Sequence, residues 1–166
     1  TRAQSPFWGT RSAVLLTHKS MHLHCHSWFS LRHGLMRPEE LLAEAQAVGI
    51  TELALTDINN TSANWDFVRL APRYGIRPVL GTDFRNNGHM QYIALAHNVA
   101  GYHELCAHLS QHLQSGTPFP DRAPDFTHAS VIYPWSTAKH RDFLPLREHE
   151  WIGVRPWEQA EFRILE

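Results

Sequence analysis

Cysteine is scarce in this 166-residue chain: Cys25 and Cys106 are the only two, and they fall in different predicted elements with no paired framework around them. That excludes a disulfide-stapled secreted scaffold and leads us to expect a reducing, cytoplasmic setting. A surplus of basic residues is missing as well. Lysine and arginine number 15 against 16 acidic residues, a net charge of −1, so nothing supplies the positive stripe that gripping a nucleic-acid backbone requires. Long apolar runs are also absent. Ala13-Val14-Leu15-Leu16, the longest near the N-terminus, is too short for a signal-peptide core or a membrane span, and no membrane association is expected. Internal repeats and low-complexity tracts do not occur. With 43% hydrophobic residues the chain has material for one domain around one core.

What the chain has in quantity is histidine, 13 residues in all, and the densest stretch is His22-Leu23-His24-Cys25-His26-Ser27. Strand alternation sends His22, His24 and His26 to one face and Leu23 and Cys25 to the other. Three imidazoles on one face are poor core filling, because each carries two ring nitrogens that need partners once water is excluded. A metal or a phosphate is the economical partner. Ser30-Leu31-Arg32-His33-Gly34 adds a fourth histidine beside a glycine, where the chain can turn sharply and aim His33 back at the strand end.

Residues 1–20 carry no clear period and read as a disordered extension upstream of the domain, with Val14-Leu15-Leu16 as an optional edge strand; the domain itself is read over 21–166. Residues 37–49 read as a helix, with Pro38, Glu39 and Glu40 in the first turn and Gly49 past its end, burying Leu41, Leu42, Ala45 and Val48. An apolar strand over 50–56 ends at Asp57. A helix over about 62–74, shortened by Pro72, leads to a third strand over 76–80 ending at Asp83. Strands alternating with helices predict parallel pairing through right-handed crossovers. A fourth strand over 90–96 precedes a helix over 98–113 that turns Leu105, Leu109 and Leu113 inward. His97, His103, His108 and His112 read as surface histidines, the last two on a solvated flank. Beyond a loop over 116–125 come strands over 130–133 and 151–154 and a terminal helix over 157–165. His24, His26, Asp57 and Asp83 all fall at or just beyond strand C-terminal ends, the rim where parallel α/β proteins gather functional groups. This pattern alone does not separate a closed barrel from an open sheet.

The ordered blocks carry more. His24-Cys25-His26-Ser27 through His33-Gly34, Leu53-Ala54-Leu55-Thr56-Asp57-Ile58-Asn59-Asn60, Gly81-Thr82-Asp83-Phe84 and Tyr92-Ile93-Ala94-Leu95-Ala96-His97-Asn98 together resemble the PHP (polymerase and histidinol phosphatase) superfamily. Within it they resemble the N-terminal PHP domain of bacterial DNA polymerase III alpha subunits, in a Bacteroidetes-like form. The resemblance implies an α/β fold, a PHP-type distorted (β/α)7 barrel of parallel strands with flanking helices. It also implies a fragment, because the family's last metal-binding block, an Asp-x-His pair, has no counterpart in this sequence.

Position by position, the resemblance makes His24 and His26 the first metal-ligand pair. It sets His33 where an aspartate is usual and Asp83 where a glutamate is usual. Ile58 and Gln91 stand at the positions of two lost histidine ligands. Asp57 is implied as a supporting group that bonds a ring N–H or caps the next loop. His22 is expected to be a buried, hydrogen-bonded histidine, and Trp28, Phe29 and Trp65 to cover the pocket. Losing neutral imidazoles weakens metal affinity and breaks two-metal geometry. The expectation is therefore a degenerate site, holding at most one divalent ion, zinc or manganese, on His24, His26, His33 and Asp83, with no exonuclease activity.

The function implied is that of the PHP module of a replicative polymerase's alpha (catalytic) subunit, serving DNA replication mainly as structure and docking surface. Its expected partners are the remainder of the alpha subunit, a proofreading exonuclease subunit, and DNA through the parent, whose magnesium-dependent nucleotidyl transfer lies outside this chain. The rival readings are a stand-alone metal-dependent phosphoesterase resembling histidinol phosphatase, a proofreading 3′–5′ exonuclease, and an interaction domain with no nucleic-acid role.

Overall fold

Among the described residues six strands pair in chain order into one sheet, which curls into a half-barrel. The computed structural model describes residues 20–141 and 145–164; the extension and the edge strand expected at Val14-Leu15-Leu16 lie outside the described residues. The elements are β1 (Ser20–Cys25), α1 (Pro38–Ala47), β2 (Ile50–Leu55), α2 (Asn64–Leu70) running into a 3₁₀ turn (Ala71–Tyr74), β3 (Arg77–Asn86) and β4 (His89–Ala96). They continue through α3 (Val99–Ser115), β5 (Ala129–Pro134), α4 (Trp135–Ala138), β6 (Glu150–Gly153), a 3₁₀ turn (Pro156–Glu158) and α5 (Gln159–Ile164).

The α/β half-barrel agrees with the expected fold class, but the pairing is not parallel throughout. β1–β2, β2–β3 and β5–β6 are parallel, whereas β3–β4 and β4–β5 are antiparallel. The cause is local. Asn86 pairs with His89 across a two-residue loop, and Asn87 and Gly88 both have left-handed backbone, with φ of 51° and 84°. Asn-Gly favours this tight hairpin because its twist matches that of the strands it joins. No crossover helix fits in two residues.

Helices cover one face of the sheet. Leu53 and Leu55 of β2 pack with Leu42 and Ala45 of α1 and with Phe67 and Leu70 of α2. Phe84, Tyr92, Ala94, Val131 and Tyr133 pack with Leu105 and Leu109 of α3 and with Phe119 and Phe126. Strand residues of the opposite parity, Ala54, Ile93 and Leu95, form a third, small cluster with Val79, Met90 and Ile132. Two expected core positions are exposed: Val48 (69%), which lies past the end of α1, and Leu113 (56%), in the last turn of α3.

Polar groups are buried beside these cores as well, Glu150 and His108 among them. Glu150, at the start of β6, accepts hydrogen bonds from Arg122 Nε (3.1 Å), the Tyr133 hydroxyl (2.9 Å) and the Arg147 backbone N–H (2.8 Å). Burial pushes its carboxyl up, but these donors outweigh burial and hold it down to about 2. His108 is not on a solvated flank. It is 8% exposed, with Nε2 2.7 Å from the Tyr92 hydroxyl and its ring among Phe84, Phe119 and Phe126 at centroid distances of 5.2, 5.6 and 5.7 Å.

Burial and the neighbouring His112 lower the His108 pKa from its ordinary 6.5 to about 4. Because the folded form binds its proton less readily than the unfolded chain, this stabilisation is fully present above about pH 6.5. It fades as pH falls toward about 4, by about 1.4 kcal/mol per pH unit. Urea midpoints measured across that window should therefore slope more steeply for the native chain than for His108→Leu, and equal slopes would dismiss the assignment.

Candidate metal centre

Among the described residues β1 lies at the edge of the sheet and has an irregular register: His22 pairs with Leu53, but Cys25 pairs with Leu55. Three steps on β1 answer to two on β2, the signature of a bulge. Simple alternation across the three histidines therefore fails. His22 is exposed rather than buried and stands apart from the cluster that His24 and His26 join, while Cys25 packs toward the α1–α2 core.

β3 brings in the carboxylate. Its ladder with β2 ends at Leu80, and Asp83 lies three residues further along, inside β3 and not beyond its end, because pairing with β4 prolongs the strand to Asn86. Asp83 pairs with Ile93 and so shares the face of Ala54, Ile93 and Leu95, away from the helix-covered cores. There its Oδ2 lies 3.0 Å from His24 Nε2 and 3.1 Å from His26 Nε2. An ionised carboxylate can only accept, so in this arrangement each Nε2 carries the proton.

The loop after β1 is anchored by Asp57. This fully buried carboxylate accepts from the Ser27 backbone N–H (2.7 Å), the Ser27 hydroxyl (2.6 Å) and the Ser30 hydroxyl (2.6 Å). Asp57 thus supports the site without touching a ring N–H, and the loop it ties down precedes it in sequence instead of following it. Gly34 closes the same loop through close approach: a Cβ there would stand 1.9 Å from the Ser27 carbonyl oxygen. The sharp left-handed residue is Arg32, with φ of 71°. His33, delivered by this loop, is exposed. Its ring lies 5.9 Å from that of His26 and its Nε2 is 3.4 Å from Arg85 Nη1, so it flanks the cluster without joining it.

Arg85 was not among the expected site residues. Its Nε lies 3.0 Å from both Asp83 oxygens and its Nη2 2.7 Å from Oδ2. Asn59 fixes the backbone there, accepting from the Arg85 N–H at 2.9 Å and donating to its carbonyl at 2.8 Å. Burial pushes the Asp83 carboxyl up, but hydrogen bonds from His24, His26 and Arg85, with the charge of Arg85, outweigh it and hold the group well below the usual carboxylate range. The sequence does contain a signal for Arg85, since residues two apart on a strand share a face.

Ile58 bridges to Asp83 in a parallel register, which places position 58 beside the carboxylate with an aliphatic side chain that offers no donor. Gln91 is buried, with Nε2 donating to the His89 carbonyl at 2.8 Å and Oε1 accepting from Arg141 Nη2 at 2.6 Å. Trp28 and Phe29 are partly exposed beside the loop, and Trp65 is largely exposed.

His24, His26 and Asp83 offer three ligand atoms within 4.8 Å of one another and could hold a metal; among the described residues they are the one such group. Three donors suffice for a single tetrahedral ion with one open position. A two-metal clamp needs more. Oδ2 is at the same time hydrogen-bonded by two imidazoles and a guanidinium, so the residues that could hold an ion are here paired with one another and with Arg85.

Residues 22–143 match the PHP domain family. The chain belongs to that family. It is 33% identical over 104 residues to the DNA polymerase III subunit alpha of Buchnera aphidicola, covering 59% of this chain and 9% of that protein. It is 41% identical over 96 residues to the error-prone DNA polymerase of Symbiobacterium thermophilum, covering 55% and 9%. The PHP chain thus spans about a tenth of the length of these curated relatives. Among solved structures, a two-domain protein from Bacteroides vulgatus, described as containing a predicted PHP-like metal-dependent phosphoesterase, aligns with a TM-score of 0.47 at 14% identity over 87% of this chain and 41% of that one.

Because His26 and His24 donate to a carboxylate with no access to solvent, truncating one leaves the PHP cluster short of a partner. His26→Ala should cost on the order of 1–3 kcal/mol in EDTA, while the exposed His103→Ala should cost almost nothing. Equal denaturation midpoints would show the cluster to be solvated and idle.

Proposed function

We propose that this chain is the PHP module of the alpha subunit of a bacterial replicative DNA polymerase, serving as structure and docking surface with a degenerate metal site. The observation that carries the reading is the arginine fork across Asp83. A group that would have to be free for metal-assisted hydrolysis is instead neutralised from within the chain. The polymerase III alpha relatives support the parentage, and the aliphatic Ile58 beside Asp83 supports the loss of catalysis. On this reading the rest of the alpha subunit is the direct partner, and a separate proofreading exonuclease subunit is the second. DNA and the magnesium-dependent transfer step belong to the parent, and the setting is the cytoplasm.

The second reading is a working metal-dependent phosphoesterase or 3′–5′ exonuclease, favoured by the His24, His26 and Asp83 triangle. A bound zinc or manganese ion would supply an activated water or a Lewis acid for phosphoester cleavage. In that case His24 and His26 would have to present ring lone pairs at the Nε2 atoms that now donate to Asp83.

Incubation of the purified chain with manganese or zinc and either single-stranded DNA or a phosphate monoester separates the two. Hydrolysis should be no faster than with His24→Ala. Turnover by the native chain that His24→Ala abolishes would establish the second reading in place of the first.

A further inference from the structure

We propose that Arg85 is the resident cation of this site, its guanidinium holding the Asp83 carboxylate in the place of a divalent ion, so that arginine and metal are alternatives at Oδ2. This deepens the reading of the site as non-catalytic and rests on it. Three observations carry it. Asp83 has no exposed side-chain surface and Arg85 is 10% exposed, so the pair is not a loose surface contact. The guanidinium engages both carboxylate oxygens, which is the fork geometry that suits arginine to a buried carboxylate. The backbone of Arg85 is held on both its polar groups by Asn59, itself in left-handed backbone with φ of 47°, so the fork is aimed by the fold.

A buried carboxylate needs a compensating charge. A metal on His24, His26 and Asp83 would supply one, and so does Arg85. Both cannot do so together, since the ion would approach the oxygen that the guanidinium covers and meet a full positive charge beside it. His33, outside the cluster, has its Nε2 3.4 Å from Arg85 Nη1.

The test is titration of the metal-stripped chain with zinc, then manganese, by calorimetry, together with unfolding midpoints in EDTA and in zinc. Arg85→Met keeps the length and removes the charge; Arg85→Lys keeps a charge and loses the fork. The native chain should unfold at the same midpoint in EDTA and in zinc. Arg85→Met should bind zinc at least about tenfold more tightly than the native chain, the effect of removing a like charge next to the ion. It should also be less stable than the native chain in EDTA and regain that stability in zinc, even if it folds only with the ion. Arg85→Lys should stay close to the native affinity.

Equal zinc affinity for native and Arg85→Met, or an Arg85→Met chain that stays unfolded with and without zinc, would overturn the exchange while leaving the non-catalytic reading intact. Tight zinc binding by the native chain without hydrolysis would also overturn the exchange alone. Tight binding accompanied by turnover would overturn both.

Discussion

A single carboxylate with no exposed surface, Asp83, sets the terms for the strand ends around it. An unpaired charge in that position costs several kcal/mol, so the chain must present donors to it. It does so from three directions: His24 and His26 from the end of β1, and Arg85 from two residues along β3 itself. β1 bulges on the way to the histidines, and β3, which carries the arginine, runs on past the end of β2 to pair with β4.

Asp57 does for the loop what Asp83 does for the strands. Its two oxygens take a backbone N–H and two hydroxyls, and Ser30 in turn accepts from the Ile58 N–H at 2.9 Å, stitching the β1 loop to the end of β2. From there the Asp83 N–H donates to the Asp57 carbonyl at 3.2 Å, and the Asn59 N–H donates to the Asp83 carbonyl at 3.0 Å. The two aspartates are thereby coupled through backbone. The loop that carries His33 is tied down at its base by these bonds, and Leu31 and Leu35 on it are exposed apolar residues.

Local signals made much of this legible. Pro38 and Gly49 bracketed α1, and the motif order put His24, His26, His33 and Asp83 forward as one group, of which His24, His26 and Asp83 lie within reach of one another and His33 stands outside. The Asn87-Gly88 pair was an equally local signal for the hairpin, and a pattern read only as strand, helix, strand passed over it. Other features depend on partners far away in sequence. His108 is buried because Tyr92 and Phe119 close over it, and helical spacing alone describes a buried and a solvated face equally well. His22 left the cluster because of a register shift that depends on β2. Arg85 reads as an ordinary polar strand residue until Asp83 is known to be buried beside it. Charge compensation is a tertiary property.

The nature of the compensating cation decides what chemistry such a site can perform. A metal ion brings empty coordination positions with its charge, and a water or phosphate oxygen placed there is activated by it. A guanidinium brings only N–H donors already committed by geometry, has no vacant orbital, and does not lose its proton in proteins. On the proposed reading, filling the Asp83 position with Arg85 keeps the electrostatic balance of the fold and leaves no place for a nucleophile to be generated. That arrangement would also free the domain from metal supply: folding that depends on a bound ion varies with pH and with chelators, whereas an arginine carried two residues from its carboxylate is always present at the same effective concentration. On the proposed reading, the exchange of a metal for Arg85 favours constancy of shape over reactivity.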